Sequence, residues 1–420
     1  MPASPSTARV INDRLALRLL QREGPLTAGR LKELTGLSRP TVADLVERLT
    51  ASGLVEVAGE SGEQRRGPNA KLYGIVAGRA HLAALDVRTE GVTVLVSDLV
   101  GRVLAEASVP IGGDTGTGTA VERAVALVER AVKGAEADPL HTLVVGAPGL
   151  VDPVSGELRD SGGLPEWHRR LVAALQERFP DARVHVENET NLAALAEQRE
   201  GGAGDRDTFV LLWLGHGIGA AVVLDGDLRR GASGGTGEIG FLPVPGTDGL
   251  PSATGCEGGF HSLAGSAAIT ALAGEHGLTA PARRRTDEPV AAELVRRAVD
   301  AVRSAPAGRR APADAAGPAE RVPDPAADRF LDALADRLTL GAASVVAVLD
   351  PGCVVLGGEV GRAGGDELAL RVAGRLRRMA PLPTRVRPSA LGGGAVLRGA
   401  LLTARECAQD ELFGSGEREV

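Results

Sequence analysis

The chain has 420 residues, a formal net charge of −7, 43% hydrophobic and 2% aromatic residues, and three cysteines. That length exceeds what one hydrophobic core organises, so two or three domains with Ala-, Val- and Leu-built cores are expected. Cys256, Cys353 and Cys407 are scattered and odd in number, which excludes a disulfide framework and points to a reducing cytoplasm; no apolar run matches a signal peptide or a membrane span, so no membrane partner is expected.

The first predicted element is a helix over Val10 to Gln21, with Ile11, Leu15 and Leu19 expected inward. A helix-turn-helix follows in Thr27 to Gly53. Thr27 can cap a short helix carrying Leu31 and Leu34, Gly36 and Leu37 make the turn, and Ser38 caps a second helix with Pro40 in its first turn. Val42, Leu45, Val46 and Leu49 recur at i, i+3, i+4, i+7, one buried stripe, and Gly53 closes the helix. Ser38, Arg39, Pro40, Thr41 and Arg48 lie on the end and face that would read a groove. LVEVA and KLYGI then read as two strands around a basic loop, completing a winged helix with Arg65 and Arg66 at the wing tip, within reach of phosphate or the minor groove. Residues 1–80 carry a balance of +4 and the remainder −11. Positive charge confined to this segment suits a polyanion, namely double-stranded DNA.

Further on, Leu82 to Leu104 and Val210 to Ala232 share one plan: an apolar strand, a polar or Gly-rich turn, a second strand, an Asp-containing turn and a third short strand. The first copy is followed by an amphipathic helix over Ala120 to Gly134 and by LVVGAPGLV, a strand ending in a Gly/Pro loop. The second is followed by an Ala-rich helical region and by Val345 to Val360, expected as a buried strand ending in a Gly pair. Two such lobes across a cleft are the architecture of the actin-like sugar kinases. The expected fold is therefore α/β: a winged helix-turn-helix over 1–78, a first actin-like lobe over 79–185, and a second over 186–394. A C-terminal helix near 395–410 is expected to pack back on the first lobe. An Ala-, Pro- and Gly-rich insertion near 304–327 is too poor in apolar surface to order itself.

The motifs GAPGLVDPVSG (146–156), VENETNLAALAE (186–197), LGHGIGAAVVLDGDLRRGASGGTGEIG (214–240) and VVLGGE (354–359) stand in an order that resembles the ROK family (repressor, open reading frame, kinase) in its longer form with an N-terminal winged helix. The resemblance covers roughly residues 8–410. It implies a sugar-binding cleft. Asn188 matches the family's Asn, and Glu189 stands where kinase members place the catalytic Asp; Glu238 matches a sugar-contacting Glu, and His261 stands where another is expected. These four are the expected effector-binding residues.

Departures from the kinase pattern bear on function. The first phosphate loop, D-x-G-G-T-K in kinases, reads Asp86-Val87-Arg88-Thr89-Glu90-Gly91 and keeps only the Asp. Lengthening the base by one methylene at Glu189 is a misplacement of a size that can cost about a hundredfold in rate. The family's zinc positions hold Phe241, Ser252, Thr254 and Gly259, with Cys256 out of register, so neither a metal nor another cofactor is expected. The Asn that precedes Trp167 in the family is Gly163. The resemblance thus implies a non-catalytic, sugar- or sugar-phosphate-responsive DNA-binding regulator, a repressor acting as a homodimer or homotetramer. A sensor reduced to a dimerisation scaffold and a surviving sugar kinase are the alternatives.

Overall fold

A computed structural model describes residues 5–61, 70–159, 164–252, 257–279, 288–303 and 324–414. The N-terminal head consists of α1 (Pro5–Glu23), β1 (Leu26–Thr27), α2 (Ala28–Thr35), α3 (Arg39–Ala51), β2 (Val55–Glu60) and β3 (Lys71–Ile75). Its local chemistry follows the caps. The Thr27 side chain accepts the Arg30 N–H at 3.1 Å, Gly36 adopts a left-handed φ of 69°, and the Ser38 hydroxyl accepts the Thr41 N–H at 3.4 Å. The stripe Val42, Leu45, Val46 and Leu49 is buried, and a three-stranded sheet of order β1-β3-β2 backs it. Arg65 and Arg66 lie outside the described residues. The expectation for α1 holds at Leu19, which is buried, and is overturned at Ile11 and Leu15, which are exposed, with Ala16, Leu17 and Leu20 buried in their place. The helix serves two neighbours, the head on one side and the C-terminal helix on the other, so its buried arc is turned away from Ile11 and Leu15.

Two sheets of the same plan follow. In the first, β4 (His81–Arg88), β5 (Gly91–Asp98) and β6 (Val103–Pro110) form an antiparallel meander. After α4 (Thr117–Gly134), β7 (Leu140–Ala147) pairs parallel to β4. After α5 (Trp167–Arg178), β8 (Arg183–Asn188) pairs parallel to β7, carrying this sheet past residue 185. Then α6 (Glu189–Glu200) leads to β9 (Phe209–Leu214), β10 (Ile218–Leu224) and β11 (Asp227–Arg229), again a meander. α7 (His261–Ala264), α8 (Ser266–Glu275), α9 (Val290–Arg303) and α10 (Pro325–Leu349) come next. β12 (Cys353–Gly357), α11 (Gly358–Met379) and β13 (Arg385–Pro388) complete a second sheet, β11-β10-β9-β12-β13, in the same order as β6-β5-β4-β7-β8. Val345 to Leu349, expected as strand, is the last turn of α10. Asp350 terminates that helix in the left-handed region (φ 43°), and only after Pro351-Gly352 does the chain extend. Residues 304–323 of the expected insertion lie outside the described residues.

The last helix, α12 (Ala395–Gly414), lies on β4 and β7 and packs along α6. The approach is close: a Cβ on Gly399 would stand 1.9 Å from the Leu192 carbonyl oxygen, and one on Gly146 would stand 2.8 Å from Val396. One continuous apolar core therefore runs from Leu17, Leu31 and Leu45 of the head, through Leu401 and Ala404 of α12 and Leu192 of α6, to Leu211 and Val355 of the second sheet. Two further cores fill the outer faces of the sheets. Among the described residues no helix is long and apolar enough to cross a membrane.

Candidate effector cleft and DNA-facing helix

The cleft is built where parallel strands end, the place at which α/β sheets present loops to ligands. Register sets Asp86 of β4 beside Gly146 of β7, and Gly146 and Ala147 beside Glu187 and Asn188 of β8. Across the cleft, Gly357 pairs with Trp213, bringing the Gly215 turn beside Glu359 at the start of α11. Gly358 has a φ of 72°, and a Cβ there would stand 2.4 Å from the Leu214 carbonyl oxygen, so the GGE turn requires glycine at this point.

Asn188 caps α6. Its Oδ1 accepts the Thr190 and Asn191 N–H groups at 2.9 and 3.3 Å, and its Nδ2 donates to the Gly149 carbonyl at 3.0 Å. It thereby holds the GAPGLV loop over the cleft. Glu189 begins the helix; its Oε2 is sealed from water and meets no hydrogen-bond partner. Burial pushes this carboxyl up to about 8, aided by the negative charges of Asp86 and Glu238 and opposed by a hydrogen bond from its own backbone and by Arg88. Glu238 sits at the cleft mouth, its pKa raised by partial loss of water. His261 opens α7, its pKa lowered by burial, with its ring against Gly265 and facing Gly217. Glu189 is thus within electrostatic range of Asp86, Arg88 and Glu238, Asn188 precedes it in the chain, and His261 lies by the Gly217 turn.

Glu189 offers a test through pH. A carboxyl whose folded pKa lies above its unfolded value binds protons preferentially in the native state, so the native state loses stability as pH rises from about 4.5 to about 8. Glu189→Gln should remove that slope. The melting temperature of the variant should exceed that of the parent chain at pH 8 and converge with it near pH 4.5; parallel curves would show a carboxylate already ionised in the fold.

Residues not singled out from sequence complete the cleft. Arg88 donates from Nε to Asp86 at 2.9 Å, from a terminal nitrogen to Glu359 across the cleft, and from the other to the Gly393 carbonyl at 3.3 Å. Burial raises the pKa of Asp86 against the pull of Arg88. On the opposite side Arg230 donates to Glu187 at 2.7 Å, while Glu187 also accepts from Asn191 at 2.9 Å. His216 and Glu90 make a looser, exposed contact of 3.4 Å between the lobes. The signal for Arg88 was present in the sequence: an arginine in a loop where the kinase pattern that the chain resembles has glycine. At the family's zinc positions, Phe241, Ser252 and Gly259 supply no thiolate or imidazole, Thr254 and Cys256 lie outside the described residues, and no cluster of three or more His, Cys, Asp or Glu is placed to hold a metal among the described residues.

On the head, Ser38, Arg39 and Pro40 are exposed at the start of α3, and Thr41 is half-buried with its hydroxyl 2.8 Å from that of Ser38. Arg48, expected at the groove, is half-buried. Its guanidinium donates to Asp13 of α1 at 2.6 Å and to Asp44, tying α3 to α1.

The ROK family model matches residues 82–406, and the MarR family model matches residues 12–67. The chain belongs to the ROK family. It is 27% identical over 238 residues to a xylose repressor of Caldicellulosiruptor bescii, across 56% of this chain and 59% of that protein. To the DNA-binding transcriptional dual regulator NagC of Escherichia coli it is 28% identical over 246 residues, across 56% and 57%. The chain thus spans about three fifths of the length of the curated relatives it matches. A ROK family transcriptional regulator, described as a homologue of the E. coli MLC protein, shares the fold over 97% of this chain and 98% of its own, with a TM-score of 0.71 at 21% identity. A winged helix followed by the two-lobed, actin-like ROK fold is therefore the architecture of this ROK protein.

Proposed function

We propose that this chain is a cytoplasmic, sugar-responsive transcriptional repressor that binds double-stranded operator DNA through its winged helix. The observation that carries the proposal is the continuous core joining an exposed recognition-helix start to a ROK cleft. The names of the relatives, a xylose repressor and a DNA-binding transcriptional dual regulator, support DNA-binding regulation. Ser38, Arg39, Pro40 and Thr41 would contact the operator, helped by Arg65 and Arg66, with Arg48 supporting α3 from behind. A homodimer or homotetramer would read paired half-sites. Asn188, Glu189, Glu238 and His261 would hold the effector.

The chemistry of the cleft favours a sugar without a phosphate group. Arg88 and Arg230 are both committed to carboxylates, so neither is a free cation for a phosphate, while Glu189, kept protonated by burial, can both donate to and accept from a sugar hydroxyl and Glu238 offers an acceptor. Kinase action fits poorly: the first phosphate loop brings an arginine side chain and Glu90 where backbone N–H groups should meet a nucleotide, and phosphoryl transfer depends on such positioning.

The test is binding of the chain to its own upstream DNA at fixed salt, with neutral sugars and their phosphate esters in parallel. Specific binding released by a neutral sugar is expected. Arg39→Ala should weaken operator binding about 5- to 100-fold, the loss of one base or phosphate contact, while sugar binding is retained. Specific binding that no sugar alters would favour a scaffold, and ADP release dependent on a sugar would restore the kinase.

A further inference from the structure

Arg88 has one guanidinium and three partners on three separate elements. Asp86 is on its own strand, Glu359 begins α11 on the other lobe, and Gly393 belongs to the turn that starts α12. The carboxylates of Asp86 and Glu359 are almost fully buried, at 6% and 5% exposure. A planar fork is the group best able to satisfy such divergent acceptors at once. Beyond the Gly393 turn, α12 is wedged against α6 at Gly399 and Leu192. At its far end Gln409 donates to Gln21 of α1 at 2.8 Å and to the Leu99 carbonyl at 3.3 Å, and Gln21 donates to the Val100 carbonyl at 3.1 Å. A helix of 20 residues is a stiff rod roughly 30 Å long, so its two ends move together.

We infer that Arg88 acts as a built-in ligand of the cleft: it latches the lobes through Glu359 at the site of the lost phosphate loop and, through Gly393 and α12, holds the head in its operator-binding position. Opening the lobes breaks the Arg88–Glu359 bond and frees the α12 start, and Gln409 carries that displacement to α1. The inference rests on the proposed repressor function, since its readout is operator affinity.

The experiment is a double-mutant cycle on the full chain, titrating upstream DNA at fixed salt without sugar. Glu359→Gln cuts the charge across the cleft while leaving the Asp86–Arg88 pair intact. It should weaken operator binding about 5- to 50-fold, a coupling of the usual allosteric size. Gln409→Leu cuts the far end, and in that background Glu359→Gln should have little further effect. Should Glu359→Gln fail to fold, Arg88→Lys replaces it, keeping the charge but unable to span three acceptors, with the same expectation. Operator affinity within twofold of the parent chain in a folded latch variant overturns the latch. Strictly additive effects of the two substitutions overturn the route through α12. Absence of specific binding by the unaltered chain removes the repressor reading and the latch together, an outcome distinct from either.

Discussion

Glu197→Ala should destabilise the protein by on the order of 3 kcal/mol, because several hydrogen bonds to a buried charged acceptor are lost and their donors are left unpaired. The Glu197 side chain is fully buried in α6, and its carboxylate accepts from four groups: the Ser389 hydroxyl, the Leu391 N–H at 3.0 Å, the Ala390 N–H at 3.2 Å and the Gly202 N–H at 2.7 Å. Alanine leaves three partly buried backbone donors without their acceptor, and an orphan kept from water costs about 1–3 kcal/mol. The carboxylate also fills the space over Gly201, where a Cβ would stand 2.2 Å from Glu197 Oε2. The 389–391 segment it clamps leads directly into the Gly393 turn and α12, so the variant should also lose sugar-linked control of DNA binding. Calorimetry on Glu197→Ala and Glu197→Gln separates the causes: Gln keeps one acceptor oxygen and should fall between the parent chain and Ala. A loss below about 1 kcal/mol for Ala would mean that the clamp is solvated rather than buried.

Glu197 also shows where sequence reading stops. It lies in VENETNLAALAE, a motif legible from its order among other motifs, yet nothing local distinguishes it from a solvated helical glutamate. Three of its four partners are almost two hundred residues away. What was legible rested on local rules. Caps at Thr27 and Ser38 and the stripe from Val42 to Leu49 specify the helix-turn-helix within a few turns of chain, and the repeated strand-turn-strand plan announces the paired sheets. What was not legible depended on neighbours. The α1 face could not be assigned from period alone, because α12 competes with the head for that helix and leaves Ile11 and Leu15 outside. The tie of Arg48 to α1 was not legible because Asp13, one of its two partners, lies on another helix. Arg88 was visible only as an offence against a glycine pattern; its three acceptors come from residues 86, 359 and 393.

The second large effect is expected at Gly237, which places Glu238. Its φ of 89° is one that side-chain-bearing residues rarely adopt, and a Cβ there would stand 1.8 Å from the Ala220 carbonyl oxygen. The closeness is structural, since the Gly237 carbonyl accepts the Ala220 N–H at 2.8 Å and so adds the loop to the edge of β10. Gly237→Ala therefore combines backbone strain with a clash, roughly 2–5 kcal/mol held locally. The loop has a cheaper answer than unfolding, which is to lift off β10 and carry Glu238 out of the cleft. Operator binding without sugar should survive, because the head and α12 are untouched, while release by the sugar that acts on the parent chain should be lost. Gly226→Ala is the control: it has a similar φ of 85° but open space around the added Cβ, so it carries the strain without the collision. Operator titrations with and without sugar on both variants decide the matter. If Gly237→Ala responds to sugar as Gly226→Ala does, either the close approach to β10 is not what positions Glu238 or Asn188, Glu189 and His261 bind the sugar without it.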